Sequence, residues 1–436
     1  MKIADTLVVI EHGRLQPFAF DPFKTCHELG LRPLFVTNDL AEYFASAVSA
    51  ESVDKYVDEV IETDISDPAR VVAALAEAQA SGRLLGVFSI TEYGVVTVAD
   101  VASALGLPGL SPAAARNARH KHRTRRLCAA AGVPVPEHAW VRSAAEARSA
   151  AARLGGACVV KPLSEAGGIG VRLCAGPEEA AEHYAAIAAA GTDRRGNPRP
   201  PGALVEKYAP GYQVSVEVVH TGRGHHVVGV TDGLFGGRPH FVELGETYPS
   251  LLPEHVRRDC ADVAVRALGA IGHDFGAAHV EVRVTADGPV LIEVNARLAG
   301  AQITRLIHEA QGVNLLREAI RLHAGRSADL TVRRDGAAAV RYLTSPVGGV
   351  LSAVRGHAEA EAMPGVIDVD FYVAPGARVR PPENIADVTG YVTATGRTPG
   401  EAARRADAAA LEIGFVVDPP GTAGASASGP ESVLLL

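Results

Sequence analysis

Over the first 110 residues, short apolar runs alternate with amphipathic stretches. Residues 6–10, 33–37 and 85–90 read as strands, while 68–81 and 95–106 repeat apolar positions at helical spacing. That alternation predicts βαβ units around a parallel sheet. The first run continues as VVIEHGRLQPFAF without GxGxxG, so a dinucleotide fingerprint is excluded. The segment LGLPGLSP at 105–112 predicts a loop, and Ser111-Pro112 supplies the N-cap and first-turn proline of one long helix over 112–131, stopped at Gly132. Two prolines in VPVPEH then extend the chain. Short strands and helices are expected to about residue 200, with TDRRGNPRPPG (192–202) a mobile surface loop. A strand-rich stretch to 244, a helix over 253–270, a hairpin over 277–296 and two helices to about 324 follow. AVRYLT, VIDVDFYV and a helix over 401–414 predict a smaller α+β unit, and the Pro/Gly/Ser/Ala-rich tail from Asp418 is expected to be disordered.

This division gives an N-terminal parallel α/β unit (1–110), a central region (111–328), a C-terminal α+β unit (329–417) and a tail (418–436). A length of 436 residues agrees with about three domains. Apolar residues are 47% and charged residues 21%, the balance of a compact soluble protein. No apolar run reaches about 18 residues and MKIADTLVVIEHG lacks a signal-peptide profile, so no membrane partner and a cytoplasmic location are expected. A formal charge of −8 argues against a nucleic-acid partner. Cys26, Cys128, Cys158, Cys174 and Cys260 are scattered without a CxxC pair, which excludes a zinc cluster or disulfide framework and predicts small buried side chains. Only six of the 42 basic residues are lysine, and Lys121, Lys161 and Lys207 fall in segments with nucleotide-site features. An ammonium serves phosphate as a point charge.

The segment 277–300, AAHVEVRVTADGPVLIEVNARLAG, alternates on both sides of Asp287-Gly288. His279, Glu281 and Arg283 share one strand face; Glu293, Asn295 and Arg297 share the facing one. With a three-residue loop at 286–288, Glu281 stands directly opposite Glu293. Like charges so placed destabilise unless a cation lies between them. Two carboxylates and the Asn295 amide suit Mg²⁺, with Mn²⁺ as a substitute, and do not suit zinc. The bland alternative is a solvated face with arginines neutralising glutamates.

CVVKPLSEAGGIGV (158–171) is an apolar strand ending at Lys161 and a loop in which Gly167, Gly168 and Gly170 let backbone N–H groups approach phosphate. The loop enters a strand rather than a helix, which excludes a P-loop. ALVEKYAPGYQVSVEVV (203–219) reads as strand, bend, strand, with Glu206, Lys207 and Tyr208 in the bend, where free backbone groups face an adenine edge. Together these are the parts of an Mg-ATP site.

H-x-E-x-R followed by L-I-E-V-N-x-R resembles the ATP-grasp superfamily of carboxylate–amine ligases over nearly the whole chain, most closely L-amino-acid (dipeptide) ligases. The resemblance implies an ATP-grasp fold with a Rossmann-like N-terminal domain, a small lobe over about 135–207 and a small C-terminal α+β unit. It implies Lys121 and Lys161 as phosphate lysines, Glu206 to Tyr208 as adenine hinge, Glu281, Glu293 and Asn295 as magnesium ligands, and Arg297 on the transferred phosphate. Gln213 stands where many members carry an acidic ribose contact, and Ala299-Gly300-Ala301 lacks their carboxylate. The implied reaction joins a carboxylate to an amine through an acyl phosphate, with Arg297 and Lys161 in catalysis. His240, Glu243, Glu246, His279, Arg283 and Arg297 are substrate candidates, the substrates being small molecules and the enzyme a homodimer. The alternatives are an ATP-grasp carboxylase using bicarbonate and a non-catalytic ATP-binding regulator.

Overall fold

The computed structural model describes residues 5–10, 20–44, 47–193, 195–236 and 238–419. The GRLQPF segment and the tail beyond Pro419, for which expectations were stated, lie outside the described residues. Thr6–Ile10, Arg32–Thr37, Glu59–Glu62 and Leu84–Phe88 form the expected parallel sheet, with Thr6–Ile10 between Arg32–Thr37 and Leu84–Phe88. Val8, Ile10, Leu34 and Val36 pack on one side, and Val9 and Phe35 on the other. Burial on both faces is why these strands read as unbroken apolar runs.

The helix expected over 112–131 is two helices, Pro112–Arg119 and Lys121–Ala130, broken at an extended His120. The break lets the Lys121 N–H donate to Leu163 O at 3.1 Å and its Nζ to Glu165 O at 2.7 Å. Those bonds favour the kink over one more helical turn.

A small antiparallel sheet follows in the order His138–Val141, Ala203–Lys207, Cys158–Pro162, Arg172–Cys174. Helices Ala144–Leu154 and Pro177–Ala189 bury its inner face through Ala147, Ala151, Tyr184 and Ile187. The five cysteines are buried and free. In segment 192–202, expected as a mobile surface loop, the described residues make specific contacts: Asp193 accepts from the N–H groups of Arg195 and Asn197, and Arg199 holds Glu165 at 2.6 and 3.1 Å.

The main sheet has eight strands, in the order Gly288–Asn295, Gly276–Thr285, Tyr212–His220, His225–Phe235, Glu243–Tyr248, Ala337–Thr344, Val388–Gly396, Val366–Phe371. Val214, Val216, Val218, Val280, Val282 and Val294 point to one side and pack on helix Glu254–Ile271. The opposite side carries the polar residues and forms the floor beneath the small lobe. Three strands from the C-terminal unit continue this sheet, while Gly349–Arg355, Arg378–Val379 and Gly414–Asp418 make a separate one.

Candidate functional site

The hairpin turns at Ala286-Asp287, a two-residue loop rather than the expected three. Thr285 faces Gly288 and Arg283 faces Val290; then Ile292 is an extra residue, after which Glu281 faces Glu293 and His279 faces Asn295. The two glutamates therefore stand opposite each other in the ladder as expected, but with a bulge in their register that the expected three-residue turn did not include. The Ile292 carbonyl accepts a hydrogen bond from Arg125.

Arg125 is 1% exposed and shares Glu206 with Lys161, whose Nζ lies 2.5 Å from Glu206 Oε2. Burial alone would raise the Glu206 carboxyl, but the two cations hold it at about 2. Lys121 Nζ lies 2.8 Å from Glu293 Oε1. Lys121 and Lys161 are thus both at the facing carboxylates or their support. Lys207 is exposed at a strand end, away from them.

Glu206 and Lys207 belong to the strand Ala203–Lys207 and only Tyr208 to the bend. Its backbone groups are not free as expected: Lys207 N–H donates to Glu137 O at 2.8 Å and Tyr208 N–H to Ala157 O at 3.2 Å. These two donors are therefore already paired rather than open to an adenine edge. The Tyr208 ring stacks on Phe241 at 5.9 Å, with Arg283 5.8 Å from its centre. Gln213 is hydrogen-bonded between Arg283 and Glu281, 2.9 Å from Glu281 Oε2.

Gly167, Gly168 and Gly170 all have positive φ, 64°, 72° and 71°. A Cβ on Gly170 would lie 2.8 Å from Pro162 Cγ, and on Gly167 2.9 Å from Ile385 of the C-terminal unit. Glycine is required there by both conformation and space.

Asn295 is 3% exposed; its amide nitrogen donates to Glu92 Oε2 at 3.2 Å and Glu293 Oε1 at 3.3 Å. A half-turn of that amide would present its oxygen beside Glu92 and Glu293, a hard donor next to a carboxylate that suits a divalent ion keeping water and phosphate ligands. Arg297 Nε lies 2.8 Å from Glu92 Oε2.

The remaining candidates divide. Glu217 holds His279 Nδ1 at 2.8 Å; burial opposes the imidazolium, but Glu217 and Glu281 raise it well above the usual histidine range. Glu246, 1% exposed, accepts from Tyr342 Oη at 3.1 Å. Burial, and then Glu281, push Glu243 to about 7, and burial and Glu243 push Glu246 well upward. His240 sits instead near His183, which bonds Gly170 O beside the glycine loop.

The raised pair has a consequence for stability. A folded-state value of about 7 against an ordinary 4.5 means that ionising Glu243 costs the folded state. That cost is absent below pH 4.5, grows as pH rises to 7 and is constant above. Glu243→Gln is expected to raise Tm relative to wild type at pH 8, with the gap closing towards pH 4.5 in thermal melts.

Arg125, Glu92, Tyr93, Glu165 and Glu217 were missing from the sequence-derived site set. Lys121, Thr124, Arg125 and Cys128 are the buried stripe of one helix, and their i, i+3, i+4, i+7 spacing could have revealed an inward-facing pair of cations. Glu92 and Tyr93 follow the carboxyl end of a parallel strand, where α/β folds place ligand sites.

Comparison with known proteins places this geometry in a family. Residues 154–305 match the ATP-grasp domain and residues 23–109 the ATP-grasp N-terminal domain. The protein y4rH of Sinorhizobium fredii, uncharacterised, is 33% identical over 393 residues, covering 90% of this chain and 79% of that one. The chain belongs to the ATP-grasp family and is an enzyme of its C–N bond-forming ligase class. Residues 341–418 match L-amino acid ligase C-terminal domain 2. Human carnosine synthase 1 is 30% identical over 281 residues, 61% of this chain and 34% of that protein, so the chain spans about a third of that relative. The crystal structure of an L-amino acid ligase from Bacillus licheniformis shares the fold, with TM-score 0.80, 19% identity and coverage of 96% and 100% of the two chains. Among the described residues no helix is long and apolar enough to cross a membrane.

Proposed function

We propose that this enzyme uses Mg-ATP to join the carboxylate of one amino acid to the amine of another, giving a dipeptide, ADP and phosphate. The observation that carries the reading is the facing pair Glu281 and Glu293, with Asn295 in the next row, opposite two buried lysines. A divalent ion held by Glu281, Glu293 and Asn295 would neutralise the β- and γ-phosphate oxygens. Lys161 and Lys121 hold the triphosphate from the small-lobe side, and the glycine loop covers it.

A carboxylate oxygen attacks the γ-phosphorus and ADP leaves, forming an acyl phosphate. The amine nitrogen then attacks the acyl carbon; the C–O bond to phosphate breaks and one proton is released. Arg297 would neutralise charge on the transferred group, through positioning and electrostatics rather than proton transfer. Glu243 and Glu246 form an acidic wall that suits a substrate ammonium group, which would restore charge to the pair. The C-terminal match at 341–418 supports amino acids as substrates over bicarbonate.

Colorimetric phosphate release over all pairs of amino acids, with product masses, tests the reading. Release that requires two amino acids and yields their condensed mass is expected. Release that depends on bicarbonate would make the enzyme a carboxylase, and ATP binding without release under any pairing a regulator. Light scattering tests the homodimer.

A further inference from the structure

The turn after strand Leu84–Phe88 reaches both sides of the cleft with two successive side chains. Glu92, 5% exposed, points to the main sheet, 2.8 Å from Arg297 Nε and 3.2 Å from the Asn295 amide, with Arg119 at 4.0 Å. Tyr93 points to the small lobe, and its hydroxyl donates to Glu165 Oε2 at 2.8 Å. Glu165 immediately precedes the glycine loop and is 3% exposed; its carbonyl accepts from Lys121, which also holds Glu293. The Tyr93 ring is flanked by the guanidinium groups of Arg119 at 5.0 Å and Arg195 at 5.2 Å.

The turn is braced by its own contacts. Thr91 Oγ1 accepts from the Gly94 N–H, Ser89 Oγ accepts from the Thr91 N–H, and a Cβ at Gly94 would fall 2.5 Å from Ser89 Oγ. Neighbouring residues of so short a turn cannot shift independently. A displacement that frees the glycine loop from Tyr93 therefore also disturbs the carboxylate holding Arg297.

We propose that Glu92 and Tyr93 are positioning residues that fasten the glycine loop and the phosphate-transfer arginine to one turn of the N-terminal unit, so that the phosphates are covered while Arg297 is in place. This rests on the ligase reading above. Under that reading an acyl phosphate reached by water gives back carboxylate and phosphate with no amide formed. The turn then sets how much intermediate goes to the amine and how much to water.

Tyr93→Phe removes only the hydroxyl and leaves the ring between its arginines. Two readouts apply to the full-length enzyme: phosphate released per amide formed at saturating substrates, and amide hydrogen exchange of residues 163–171 with a nonhydrolysable ATP analogue and magnesium. Loss of a hydrogen bond to a charged group is expected to speed exchange of that loop about tenfold, leaving the core strands unchanged. The ratio is expected to rise from one to about three or more, on the scale of that same bond. Glu165→Gln, which also weakens the pair with Arg199, should have an effect at least as large, and adding Tyr93→Phe to it should cost less than Tyr93→Phe alone, because the two side chains share one contact. A ratio of one with unaltered loop exchange in Tyr93→Phe overturns the proposal. If wild type releases no phosphate with any pair, the ligase reading fails, while the exchange measurement still decides whether Tyr93 holds the loop.

Discussion

Glu293→Gln is expected to lower kcat/KM by about 10³-fold or more, since under the proposed function it removes one of the two carboxylates that would hold the divalent ion. Folding should survive. Lys121 loses Glu293 but keeps its bond to the Glu165 carbonyl, and glutamine retains the shape of the side chain. The check is steady-state phosphate release at several magnesium concentrations beside a thermal melt. Unaltered turnover at saturating magnesium would remove Glu293 from the metal role.

Arg297→Ala is expected to lower kcat by about 10²- to 10³-fold, the usual result of deleting a group that neutralises charge in the transition state. It also leaves the buried Glu92 carboxylate without its nearest cation, at a cost of about 1–3 kcal/mol. Arg297→Lys separates the two effects. An ammonium can answer Glu92 and recover stability, but it lacks the planar fork that grips phosphate oxygens, so the rate should remain low. A lysine variant with full activity would mean that Arg297 serves the fold and not the transfer.

The legibility of this molecule in its sequence follows the range of the interactions. The parallel sheet was readable because Leu7 to Ile10 and Pro33 to Thr37 are buried on both faces, leaving unbroken apolar runs. The opposition of Glu281 and Glu293 was readable from period-two alternation, although the assumed loop length and the unseen bulge at Ile292 cancelled each other. The break at His120 was not readable. Helical propensity runs smoothly through RNARHKHRTRR, and what interrupts it is the Leu163 carbonyl, a partner over 40 residues away. Burial of Arg125 depends likewise on Glu206 and Ile292, both distant in the chain. Nor could the arginine, glycine and proline of 192–202 reveal that Arg199 would meet Glu165.

The placement of the extra residue in the hairpin separates two tasks along one strand. Lengthening or exchanging Ala286 and Asp287 alters only the distal tip, so foreign peptide could be grafted there with the acidic pair left aligned. Excising Ile292 would leave the acidic pair aligned too, since Leu291 and Val294 would then lie two apart on the valine side with Glu293 between them still facing Glu281, but it would remove the carbonyl that accepts from the buried Arg125. The extra residue therefore serves the buried arginine, while the apex of the hairpin serves neither the arginine nor the acidic pair.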